Sequence, residues 1–351
     1  MLRTIKTFLI LFLALAMLTA GESVAKKQTL DQVGAEIIET LQEFYPVTAT
    51  EQGIHSYDHR LADYSSRSVK QMIKTLDGFE RKLYKFKSAK LPQKDAINYR
   101  LLKSNVDIAL LDLKQIKWHK KAPQLYANEA TNGLYSLMLS QHAPMSEKVV
   151  SIVNRMKAVP GLFATARKNL KKPPPIYIEA ANEALESAME FYQSVAGDLM
   201  RQFPERADGI LKVSTAAREA MNDFAAYLAE IEPGEEKSFA IGKENYNYKL
   251  SHEFFFDFDA DSLLKIGETL LTDIQMKYRV QEENVEKNHQ NGRDSVFVPA
   301  AFSKQDILDY YVWETDQIKI FLEANDFVTI PENIAPISVI ETPAFLSTII
   351  S

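Results

Sequence analysis

The sequence predicts an all-α protein, a multi-helix array with a small extended, β-type element near the C-terminus. Apolar residues recur at steps of three and four along most of the chain. Proline and glycine punctuate those runs. Only after Asn325 does the texture change, to the β-branched and proline-rich FVTIPENIAPISVIETPAFLSTII.

The elements follow in order. In TLDQVGAEIIETLQEFY, residues Leu30, Val33, Ile37, Leu41 and Phe44 form one apolar stripe, and Pro46 is expected to end the helix. Val69, Met72, Leu76, Phe79 and Leu83 repeat the spacing over residues 66–87, with Ser66 or Ser68 as the expected N-cap. A third helix is expected from Pro92 to about Trp118, with Asp95 in its first turn. Two shorter helices are expected over 146–158, before Pro160, and over 162–170, before the stiff spacer Pro173-Pro174-Pro175. Two long helices then flank Phe203-Pro204, and Pro233-Gly234 marks a turn.

The second region is also mainly helical. Asp259 or Asp261 is expected to cap a helix carrying Leu263, Leu264, Ile266, Leu270, Ile274 and Tyr278, which ends near Asn291-Gly292. Ser303 to Asp306 has the form of a capping box and opens a helix through Trp313 to about Ala324. The chain divides into an export signal (1–25), an N-terminal helical region (26–232) and a second helical region ending in an extended strand (233–351).

Composition narrows the function classes. The 351 residues are 46% hydrophobic and 25% charged, as in a globular protein with a sizeable core. A net charge of -6 argues against nucleic-acid binding, which needs clustered Lys and Arg. The absence of cysteine excludes disulfides, thiolate nucleophiles and Cys-ligated metals. Arg3 and Lys6 precede the apolar run Phe8–Leu18, and Ser23-Val24-Ala25 offers small residues for cleavage, so an exported protein, periplasmic or secreted, is expected. Gly21 stands where a lipoprotein box needs cysteine. Cleavage removes two positive charges and one negative charge, taking the formal charge from -6 to -7. No later segment is apolar and long enough for a membrane span.

The chain has six histidines, and two of them lie in YPVTATEQGIHSYDHRLADY. His55 and His59, four apart, could grip one ion if the segment were helical. Ser56 follows His55, so the glutamate of a His-Glu-x-x-His zinc peptidase motif is missing. Gly53, Ser56, Tyr57 and Asp58 disfavour a helix, and a polar turn with Asp58 or Asp63 bonding backbone amides is the plainer expectation. His252-Glu253-Phe254-Phe255-Phe256 begins like the zinc motif but carries Phe256 at its second histidine position, and the phenylalanines are expected in the core. His119, His142 and His289 stand alone near helix ends. Neither a G-x-S-x-G elbow nor a phosphate-binding glycine loop is present. No residue is therefore assigned as catalytic, cofactor-binding or metal-ligating.

YPVTATEQGIHSYDHRLADYS is similar to the N-terminal signature of the bacterial domain-of-unknown-function family 885. The resemblance continues in family order through INYRLLKSNVDIALLDLKQIKWHKKAPQLY, RMKAVPGLFATARKNLKKPP, FAIGKENYNYKLSHEFFFDFDADSLLKIGE and PISVIETPAF. It implies a helical, zinc-dependent peptidase whose metal motif, His-Glu-x-x-Pro-Gly-His, lies beyond the Glu-Thr-Pro strand. That motif is absent here, so the resemblance implies the N-terminal half of such an enzyme, inactive alone and without zinc of its own. It places Gly53, His55, Asp58 and Arg60 in a turn between the first helices, with His55, Asp58 and Arg60 as candidate substrate-binding residues on one wall of a cleft. The expected partner is a peptide, which could pair with the strand ISVIETP. A non-catalytic exported binding module is the alternative. The final LSTIIS either pairs back onto an earlier segment or marks a protein whose remainder is missing.

Overall fold

The computed structural model describes residues 28–290, 303–325, 327–329 and 337–341. The expected export signal lies outside these residues. Of the expected strand ISVIETP, residues 337–341 are described and have no regular structure, so the small extended element is not seen among the described residues. Among the described residues the chain is a multi-helix array without strands.

Helix α1 (Leu30–Phe44) opens with a reciprocal capping box between Thr29 and Gln32 and buries Leu30, Val33, Ile37 and Phe44. Pro46 does more than end it. Its fixed φ suits the first position of a helix, and α2 (Pro46–Glu51) starts there. Helix α3 (Ser66–Tyr84) is capped by Ser65, not Ser66 or Ser68; the Ser65 hydroxyl accepts from the Ser68 amide. Helix α4 (Gln93–Leu110) loosens into a π-helical stretch, Leu111–Ile116, and Lys117 breaks it at φ 58°. The short α5 (Trp118–Lys121) follows.

Helix α6 (Pro123–Leu139) is not among the expected helices. Asn128, Thr131, Asn132 and Gly133 are poor helix formers, but Tyr126, Ala130, Leu134 and Leu137 are buried along its length. The two short helices expected around Pro160 are one, α7 (Met145–Asn169). Proline costs a ladder bond. Ile152, Met156, Val159, Phe163 and Ala166 nevertheless bury on both sides of it and hold the helix continuous. Helices α8 (Pro175–Gln202) and α9 (Ala207–Glu230) complete a group in which α6 packs on α7 and α8, and α9 packs on both α7 and α8. Tyr192, Phe224, Met221 and Leu185 are fully buried within it. A second layer of α1, α3 and α4 joins this group through α2, which lies against α6.

Helix α10 (Lys243–His252) rests on α4. The three phenylalanines that follow do not enter the core: Phe254, Phe255 and Phe256 are exposed, and Arg100 lies 4.7 Å from the Phe255 ring. Helix α11 (Ala260–Gln290) starts at Asp259, whose carboxylate accepts from the Ser262 amide, and meets α10. Helix α12 (Lys304–Asn325) opens with the expected Ser303–Asp306 box. Leu264, Leu270, Ile274 and Tyr278 on α11, and Tyr311, Trp313 and Phe321 on α12, are more than half exposed. No described helix is long and apolar enough to cross a membrane.

Candidate functional site

Two of the resembling segments fold against each other. The first supplies α2 and the turn after it; the second supplies α4, the π-helical stretch and α5. Between them lies a cleft of about 440 Å³. Its walls are apolar, from Ile37 and Leu41 on α1, Leu102 and Ile108 on α4, and Leu125 on α6. A few polar groups converge on it, the usual composition of a ligand site.

Asp112 is the best defined of these. It sits in the π-helical stretch, a distortion common at functional sites. Its carboxylate accepts from Trp118 Nε1 at 3.0 Å and lies 3.5 Å from Lys249 Nζ. Lys249 also binds Glu253 at 2.9 Å, so one ammonium joins two carboxylates at the cleft edge. Burial raises the Asp112 carboxyl above its ordinary value, against the lowering effect of Lys249. His119, also on the lining, is 4% exposed, and its Nδ1 has no hydrogen-bond partner. Burial, reinforced by Lys120 and Lys117, lowers it to about 4, so it is a neutral imidazole near pH 7. The cleft thus offers apolar walls, a neutral imidazole and a Lys-bridged carboxylate pair, a set suited to holding a polar backbone between apolar side chains.

His55, Asp58 and Arg60 do not line this cleft; the signature instead contributes Tyr45, Thr48, Ala49, Gln52 and Tyr64. The turn begins at Gly53, whose φ of +80° favours glycine. Asp58 is 5% exposed and binds side chains rather than amides: Thr50 donates to its Oδ1 at 2.6 Å, and His55 Nδ1 lies 3.0 Å from its Oδ2. Asp63 is the residue that takes a backbone amide, that of Ser65, at 2.8 Å. Arg60 leaves the cluster and pairs with Glu43 at 3.1 Å. The partner of His55 is His142, not the exposed His59; the two rings stack with centroids 3.4 Å apart. Sequence spacing could not reveal that pair, because His142 belongs to the connection between α6 and α7.

The zinc implied by the resemblance does not fit the residues that come nearest to its motif. His252 stacks on Tyr248 at 3.8 Å, with Nδ1 against the Tyr248 carbonyl at 3.1 Å, and Glu253 is held by Lys249. Both are engaged, and a third donor beside them is not found among the described residues.

No curated protein matches the chain. A solved structure from Shewanella oneidensis, described as that of a candidate lipoprotein of unknown function, is similar in fold, with a TM-score of 0.59 and 19% identity over 87% of this chain. The chain spans 59% of that structure's length. Residues 46–349 match the family model described as "Bacterial protein of unknown function (DUF885)", and the chain belongs to that family.

Proposed function

We propose that this chain is the cleft-forming helical part of an exported, peptidase-like hydrolase, that it holds a peptide, and that the groups for hydrolysis are supplied outside it. The observation that carries this reading is the cleft itself. Two resembling segments meet there, and apolar walls surround a small set of polar groups. Asp112, Glu253 and Lys249 suit the amides and terminal charges of a peptide, and Ile37, Leu41, Leu102 and Leu125 suit its apolar side chains. The lack of a His-Glu-x-x-Pro-Gly-His run in these 351 residues supports the second half of the proposal. Apolar side chains left in solvent along α11 and α12 support it too, since surface of that kind is ordinarily covered by further structure.

The same exposed apolar side chains favour a second reading, a non-catalytic exported module whose ligand is another protein.

Trp118 lines the cleft and makes binding observable. Titration of a library of short apolar peptides should shift its fluorescence in a Trp313→Phe background, and Leu41→Arg should abolish the shift. Mass spectrometry of the same mixtures should find no cleaved product, with or without added zinc. Cleavage by the purified chain would overturn the proposal. Peptide-independent fluorescence together with capture of a folded protein through α11 would favour the second reading.

A further inference from the structure

His55, Asp58 and His142 each offer one donor atom, and the three atoms lie within 4.8 Å of one another. They converge from distant parts of the chain. His55 and Asp58 come from the turn after α2, and His142 comes from the connection between α6 and α7.

The convergence is built. Asp58 is 5% exposed, and its Oδ1 is occupied by the Thr50 hydroxyl, which itself accepts from Arg155 Nη2 at 2.6 Å. Only Oδ2 remains directed at the two imidazoles, 3.0 Å from His55 Nδ1 and 3.6 Å from His142 Nε2. Ser140 Oγ lies 2.6 Å from His142 Nδ1. If that nitrogen donates, the proton is fixed on Nδ1 and Nε2 keeps its lone pair free, the tautomer that metal-ligating histidines adopt. Lys148 pins the backbone beneath by donating to the carbonyls of Leu137 and Ser140.

The two separations from Asp58 Oδ2, 3.0 and 3.6 Å, and the donor chemistry suit a first-row divalent cation. Ligand atoms about 2.0–2.2 Å from one zinc ion lie about 3–3.6 Å from each other. Two neutral imidazoles and one carboxylate are a common zinc donor set that leaves a position for water. His55 and His142 side chains are 26% and 27% exposed, so an ion and its water can reach them. The rings are 11° from parallel, whereas a ligating lone pair lies in its ring plane, so entry of an ion must turn one ring. His142 lies outside the helices, and turning its ring exchanges the Ser140 contact for one to the ion.

We infer that His55 Nδ1, Asp58 Oδ2 and His142 Nε2 form a binding site for a divalent zinc-type cation, which clamps the turn after α2 to the α6–α7 connection. The site is separate from the cleft, whose lining includes none of the three residues. It also differs from the His55–His59 pair that sequence spacing suggests.

Calorimetric titration of zinc into the chelator-treated whole chain tests this. One ion per chain should bind, and His55→Gln and His142→Gln should each weaken binding at least about tenfold. His59→Gln should leave it unchanged. Zinc should raise the thermal midpoint of the wild-type chain but not of the His142→Gln variant. Absence of uptake, equal uptake by His142→Gln, or loss through His59→Gln alone would overturn the inference. Zinc-edge X-ray absorption on the wild-type chain reads the ligands without mutation, and so decides the matter even if a variant does not fold. Two imidazoles with oxygen ligands support the site, and fewer than two overturn it.

Discussion

Arg155 reaches Asp58 through a single hydroxyl. Its Nη2 donates to Thr50 Oγ1 at 2.6 Å, and Thr50 donates to Asp58 Oδ1 at the same distance. Arg155 is fully buried on α7, and it also donates to the carbonyls of Arg60, at 2.9 Å, Gly133, at 2.6 Å, and Pro46, at 3.3 Å, and to the Ser136 hydroxyl, at 3.3 Å. One side chain thus ties α2, the following turn and α6 to α7. A guanidinium can do this because its five N–H groups form a planar fork.

Replacing Arg155 should therefore be severe. Arg155→Met removes the donor to the Arg60 carbonyl and leaves Asp58 without its relayed counter-charge, with an expected loss of about 3–5 kcal/mol. Arg155→Lys should stay closer to Met than to wild type, because one ammonium cannot reproduce the fork. Urea unfolding of the three proteins measures this. Near-wild-type stability of Arg155→Lys would show that charge, not geometry, is what α7 contributes.

A half-buried carboxyl and a buried imidazole give opposite dependences on pH. Burial raises Glu129, which accepts the Ala62 amide at 2.7 Å, to about 7. The folded chain then keeps this proton while the unfolded chain releases it near 4.5, so stability falls as pH rises from 4.5 to 7. His119 is held at about 4 against an ordinary 6.5, so the unfolded chain takes up a proton first and stability falls as pH drops from 6.5 to 4. In the overlap each slope is at most about 1.4 kcal/mol per pH unit, and less for Glu129, which keeps an edge in solvent. Single variants should separate them. From pH 6.5 to 4.5, Glu129→Gln should lose stability and His119→Gln should gain it. Urea midpoints at the two pH values that move in the same direction for both variants would contradict the assignment.

The helices were legible where burial alone sets the period. Leu30, Val33, Ile37 and Phe44 in α1, and Val69 through Leu83 in α3, needed no tertiary information. The errors arose where packing overrides local preference. Pro160 reads as a stop, but burial on both sides carries α7 through it. Helix α6 was hidden by Asn128, Thr131, Asn132 and Gly133, although Pro123 at its first position and the Tyr126–Ala130–Leu134–Leu137 spacing were available signals. At the inferred cation site, Asp58 belongs to a turn that the sequence shows, but His142 meets His55 only after α6 and α7 have packed.

Gly133 illustrates that packing. A Cβ there would lie 2.6 Å from Leu61 Cδ2 and 3.3 Å from Val47 Cγ2, so a side chain on α6 at this point must displace Leu61 and crowd Val47. Gly133→Ala gains about 1 kcal/mol of helix propensity. Overpacking is expected to outweigh it, for a net loss of up to about 2 kcal/mol. Leu61→Ala removes the nearest clash, so the double variant should lose less than the sum of the two single changes. Strict additivity in thermal midpoints would argue that Leu61 gives way freely.

Along α11, Leu264 is 63% exposed, Leu270 55%, Ile274 59% and Tyr278 66%. Their spacing of six, four and four keeps them near one side of the helix, an apolar stripe in water. Such a stripe attracts other apolar surface. The isolated chain is expected to self-associate at micromolar concentration and to bind an apolar dye. Leu270→Glu with Ile274→Glu should reduce both effects in sedimentation and fluorescence. The urea midpoint should stay within about 0.5 kcal/mol of wild type, because the replaced side chains contribute little buried area. A large drop in stability would mean that this face already packs against the protein's own surface in solution.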